Sequence, residues 1–296
     1  VHLLTSIGSI KRKRGELDGA SKTFNCAWTI IDDLKLRDED QDGWNAKAML
    51  CDEMGLVSKE TDEFRQQKFE EALNIRTKMC TLKSSDGAVL LSHYGRFLAE
   101  RDPVKATPRF EEGIRILKEI SSINTPLGAS ILSSLANNKR KLNKPLEALE
   151  DLKECDDILQ NTEDVTTVGA GVYNIRAEIE LELDQLDNAL VSFEKAQGIR
   201  KECCATHSID GAKMLMGMAK VMLKKDALPN ATSKIKEALN ILDCIDQRKH
   251  KISGQCEDFL KSAEQGHTCR EIFDTVFADA GQPAQVSSVL TFPRKP

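Results

Sequence analysis

The chain has 296 residues, 40% hydrophobic and 5% aromatic, with a formal net charge of −5. A net negative charge argues against general nucleic-acid affinity, and no apolar run is long enough to cross a membrane as a helix. Few aromatics alongside many Ala, Leu, Lys and Glu suit stacked helices, and no convincing strand alternation is present.

In chain order the predicted elements form six similar repeats. The octet FEEALNIR (69–76) returns as FEEGIRIL (110–117), LKECDDIL (152–159), FEKAQGIR (193–200) and IKEALNIL (235–242), at offsets of 41 or 42 residues. A small residue stands four before the large one in Ala20, Ala106, Ala148, Ala189 and Ala231, with Arg65 out of pattern, and another three after it in Ala27, Ala72, Gly113, Cys155, Ala196 and Ala238. Spacings of four and three put these on one helical face. A second apolar column, Leu4, Met49, Leu90, Leu132, Tyr173 and Leu215, lies 16 residues before the first and marks an earlier helix. Each repeat is therefore predicted to hold two helices, A then B, with turn signals at Gly15, Pro103, Asn143–Pro145 and Pro229–Asn230.

The expected repeats are 1–36, 43–80, 86–121, 127–160, 167–202 and 208–246, making an array over 1–246. The first A helix ends in KRKR (11–14), read first as a solvated helix end with cations at the negative pole, with a nuclear-localisation signal as the alternative. Repeats four and five are acidic, and repeat six is rich in Lys. Beyond it, 247–280 is expected to form capping helices, the first over 251–265, because a terminal repeat exposes an unpaired apolar face. Residues 281–296 hold Pro without periodicity and are expected to be a flexible tail. A start at Val1 rather than Met is expected of a processed or partial chain.

The columns and the helix–turn–helix period resemble the tetratricopeptide repeat, and the long period with endings such as EALNIR and KAQGIRKE is similar to the repeats of kinesin light chain. The resemblance implies an all-α solenoid, a right-handed superhelix whose A helices line a concave face where ligands bind. Carried over column by column, it implies an apolar floor in repeats two and three (Leu50, Met54, Val57, Leu91, Leu98). It implies a polar zone in repeats four to six (Asn137, Arg140, Lys141, Asn174, Glu178, Lys220, Lys224).

Nine cysteines without a C-x-x-C pair suit free thiols in a reducing cytoplasm. The chain carries no Gly-rich phosphate loop, H-E-x-x-H or G-x-S-x-G. Cys203–Cys204 with His207 is the best candidate for nucleophilic or zinc chemistry, but it stands in a linker without a second ligand cluster. The expectation is a non-enzymatic scaffold with no cofactor, no metal and no membrane insertion, binding a protein partner's peptide or helix in the groove. The alternative is a ligand-sensing or regulatory arm of a larger signalling protein.

Overall fold

The computed structural model describes residues 1–37, 39–57, 59–161, 166–245 and 251–277. Among them are fourteen α-helices and no strand. They are α1 (His2–Lys13), α2 (Leu17–Asp33), α3 (Gln41–Gly55), α4 (Asp62–Lys78), α5 (Ser85–Ala99), α6 (Pro103–Glu119), α7 (Pro126–Lys141), α8 (Pro145–Gln160), α9 (Thr167–Glu182), α10 (Leu186–Glu202), α11 (Ile209–Lys224), α12 (Leu228–Cys244), α13 (Lys251–Glu264) and α14 (Cys269–Val276). The expected all-α repeat architecture is the one observed. The tail over 281–296, and residues 246–250 and 278–280 at the edges of the expected cap, lie outside the described residues.

The chain divides into two compact bodies, Val1–Thr162 and Glu163–Pro296. In the first, each A helix packs on its own B helix (α1 on α2, α3 on α4, α5 on α6, α7 on α8). Each B helix then packs on the next A helix, and successive A helices touch. In the second, α9–α10 and α11–α12 pair in the same way, and α12 packs on α13.

The helices begin and end on local chemistry. Ser84, Thr125 and Ser208 cap the N-termini of α5, α7 and α11, each hydroxyl accepting from the backbone N–H of Gly87, Gly128 or Gly211. Glycine there answers a steric demand. A Cβ would stand 1.9, 1.9 or 2.1 Å from the carbonyl oxygen of Leu82, Ile123 or Thr206. The A–B turns reverse through left-handed residues at Gly15, Asn143, Asp184 and Asp226, with φ of 82°, 60°, 59° and 57°. Gly, Asn and Asp are the residues that reach this region most readily. Pro145 opens α8, where its missing N–H is not needed. Pro229 and Asn230 fall within the first turn of α12 rather than between helices.

The repeating columns are the core. Ala20, Phe24 and Ala27, and their equivalents Phe69, Ala72, Ala106, Phe110, Ala189, Phe193 and Ala196, are fully buried. Four of the rings close on an A-helix glycine. A Cβ on Gly8, Gly55, Gly95 or Gly217 would approach Phe24, Phe69, Phe110 or Phe193 to 2.3, 2.8, 2.8 or 2.4 Å. The basic end of α1 serves the same packing, because Arg12 Nε donates to Glu53 Oε2 on α3 at 3.1 Å and Ser9 donates to the same carboxylate.

Candidate functional site

The expected apolar floor is part of this core. Leu50 and Leu91 are 0% exposed, Val57 1%, Met54 5% and Leu98 9%. They pack against helices and offer no surface to a partner, so this portion of the expected site is corrected. The cause is a slip in register. Counting back a fixed 16 residues from the B helix assumes that every A–B turn is equal. Yet the α3–α4 link runs through Leu56–Thr61, whereas Leu142–Lys144, Leu183–Gln185 and Lys225–Ala227 are the shorter links of later repeats. Repeat three errs the other way. Its N-cap Ser84 precedes Ala106 by 22 residues, while Thr125 precedes Ala148 by 23.

Aligned instead from the N-caps, α5, α7, α9 and α11 share one column at a spacing of four, three and four. On α5 it is Val89, His93, Arg96 and Glu100, and on α7 Ser130, Ser134, Asn137 and Lys141. On α9 it is Gly171, Ile175, Glu178 and Glu182, all exposed or half-buried. On α11 the same column holds Lys213, Gly217, Lys220 and Lys224, of which Gly217 is buried. Asn137, Lys141, Glu178, Lys220 and Lys224 of the expected site lie on these columns. Val89, His93, Arg96, Ser130 and Ser134 were missed. The signal that finds them is the repeated S/T-x-x-G-A at Ser84, Thr125, Thr166 and Ser208, which starts α5, α7, α9 and α11 and sets their register.

In the first body this face is a mostly polar strip across α5 and α7. His93 Nδ1 lies 2.9 Å from Asp52 Oδ2, joining α5 to α3 across one repeat. Arg140 Nε and Nη2 both donate to Asn137 Oδ1, at 3.1 and 3.0 Å, and Lys141 Nζ donates to the Ala99 carbonyl at 3.0 Å. In the second body Asn174 Nδ2 donates to Glu178 Oε1 at 3.2 Å, while Asn174 Oδ1 is buried without a hydrogen-bond partner among the described residues. Lys224 Nζ donates to Asp184 Oδ1 at 3.0 Å, and Lys225 Nζ pairs with Asp187, lowering that carboxyl below its usual range.

The Cys203–Cys204–His207 stretch gathers no reactive set. His207 Nδ1 sits 3.2 Å from Thr206 Oγ1, and no group of His, Cys, Asp and Glu that could hold a metal ion occurs among the described residues. All nine thiols are free. Among the described residues no helix is long and apolar enough to cross a membrane.

No protein-family model matches the chain, and comparison with curated proteins returns no match. Solved structures do match. A Rap protein complexed with Competence and Sporulation Factor superposes with a TM-score of 0.64 at 10% identity, over 94% of this chain and 88% of that one. The apo form of RapI gives 0.60 at 16% identity, over 94% and 97%. BtubC (BKLC) from P. vanneervenii gives 0.53 at 18% identity, over 80% and 92%. At such identities the likeness is one of fold, and that fold is the tetratricopeptide-type helical repeat.

Proposed function

We propose that this chain is a non-enzymatic interaction scaffold that binds a protein partner's peptide or helix along the outer face of its A helices. The observation that carries the reading is the strip of Val89, His93, Arg96, Ser130, Ser134, Asn137 and Lys141, side chains that reach water while the opposite faces of the same helices form the core. Such a face presents hydrogen-bonding and charged groups at fixed helical intervals, which an extended or helical segment can match. Exposed polar contacts of this kind set register and on-rate, so binding should weaken with salt. The partner is a protein rather than nucleic acid, since the chain is net acidic. The free cysteines suit a cytoplasmic setting.

The test is quantitative affinity capture from a native extract with the wild type and with Ser134→Trp/Asn137→Arg, which blocks the strip. The reading expects proteins held by the wild type to be lost from the blocked chain while its melting temperature stays within a few degrees. A capture profile identical for both chains overturns it. The likeness to a Rap protein complexed with Competence and Sporulation Factor supports a second reading, a ligand-sensing arm of a signalling protein. That reading requires a ligand to change the conformation of the array, measurable as altered hydrogen exchange on both A and B helices.

A further inference from the structure

The last helix does not continue the repeat. A B helix packs on its own A helix and on the A helix that follows. Helix α14 packs instead on α11, the A helix of the preceding repeat, and on α13. It therefore lies on the A layer, over the column that α7 and α9 leave open to water. The register is antiparallel to α11. The Cys269 thiol faces the Asp226 carboxylate beyond the C-terminus of α11. Lys224 Nζ lies 5.7 Å from the centroid of Phe273, and Lys220 Nζ 4.7 Å from that of Phe277. Steps of four along α14 thus meet residues progressively earlier on α11. Ile272 and Phe277 are buried, Phe277 also packing 6.4 Å from Phe259 of α13, while Arg270, Glu271, Asp274 and Thr275 face water.

We propose that the A face of the sixth repeat is a helix-binding site which α14 occupies in cis. A partner's short amphipathic helix, with aromatic residues at i and i+4 and a polar outer side, takes the same place in trans. The inference deepens the scaffold reading and rests on it, naming the partner chemistry for this one face. Three features support an exchangeable occupant. Helix α14 has only eight residues and carries its own capping box, Thr268 with Glu271, so its fold is locally encoded. Its tether, Gln265–Thr268, reverses through Gly266 at a φ of 80°. Part of its grip is lysines over aromatic rings, a weak contact wherever water reaches it. The tether supplies a high effective concentration, on the order of millimolar for a short linker. A competing segment therefore engages only when it matches the same pattern more tightly or when α14 opens.

The probe is a fluorescein-labelled peptide of residues 267–277, titrated by anisotropy into the full chain. The wild type should bind it weakly. Phe273→Ala/Phe277→Ala, which releases the cis helix, should bind it at least tenfold more tightly, and adding Lys220→Glu/Lys224→Glu should remove that gain. An opened chain that melts normally and binds no better than the wild type overturns the proposal. Hydrogen exchange on the wild type provides a second readout that needs no variant. Amides of α14 should exchange at least tenfold faster than those of α13, and exchange of α14 only together with α11–α13 makes it a structural cap and overturns the proposal. The blocked strip at Ser134 and Asn137 is remote in sequence from these changes. Partner loss there with failure here leaves the scaffold reading standing and removes only this site.

Discussion

Phe193 and Gly217 fit as ring and socket: a Cβ on Gly217 would sit 2.4 Å from Phe193 Cζ, and the ring itself is fully buried between Ala189 and Ala196. The pair joins the B helix of the fifth repeat to the A helix of the sixth. Glycine is present for room rather than for backbone freedom, since it lies within a regular helix. Phe193→Ala should cost about 3–5 kcal/mol, the usual range for emptying a buried Phe site. Gly217→Ala should cost about 1–3 kcal/mol by overpacking. The double change should cost less than the sum, because the missing ring leaves space for the new methyl. Urea melts of the three variants check this, and additive losses would mean that the two residues do not share a site.

Leu91→Asp tests the corrected face. Leu91 is 0% exposed, so the substitution removes a buried side chain and places a carboxylate among apolar neighbours. The expected loss is about 4 kcal/mol or more, from lost packing and an unpaired buried charge together. A loss below about 1 kcal/mol in denaturant melts would put Leu91 on the surface.

The start of α11 makes a graded prediction. Ser208→Ala removes the cap on the Gly211 N–H and should cost about 1 kcal/mol. Gly211→Ala should cost more, because its Cβ would stand 2.1 Å from the Thr206 carbonyl oxygen, a backbone atom that cannot rotate away. Thermal melts that rank the two variants in the opposite order would contradict the steric reading of the S/T-x-x-G-A motif.

The buried thiols give a pH dependence. Burial, then the nearby Glu71 charge, pushes the Cys51 thiol up to about 12, and burial pushes Cys256 up to about 11, from 9.0 in both cases. A raised folded value means that the unfolded chain releases these protons first. The stability they contribute is present below about pH 9 and is lost as pH rises toward 11–12. Thiol-labelling rates give the complementary check. Cys26, Cys80, Cys204 and Cys244 are exposed and should label in the native state, while Cys51 and Cys256 stay protected until the fold opens. Labelling of Cys51 at the rate of Cys26 in the native state would refute its burial.

The sequence by itself determined the repeat. The Ala–Phe–Ala column, Pro145 at the start of α8 and the turn residues Gly15 and Asn143 act within a few residues of where they stand. Local spacing therefore carried the helix pairs, the all-α class and the core rings. The polar residues Asn137, Lys141, Glu178, Lys220 and Lys224 were also legible, because the N-cap to B-helix distance is constant in repeats four to six. Only the tertiary structure decided the rest. The α3–α4 link is longer, and the spacing in repeat three is one residue shorter. Each residue gained or lost between an A helix's N-cap and its B helix rotates the A-helix face, counted from the B helix, by about 100°. Leu50, Met54, Leu91 and Leu98 consequently turn inward, and His93 and Arg96 turn out. The placement of α14 was equally beyond local reading. A short amphipathic helix can bury Ile272 and Phe277 against any apolar surface, and which one it meets depends on packing between elements distant along the chain.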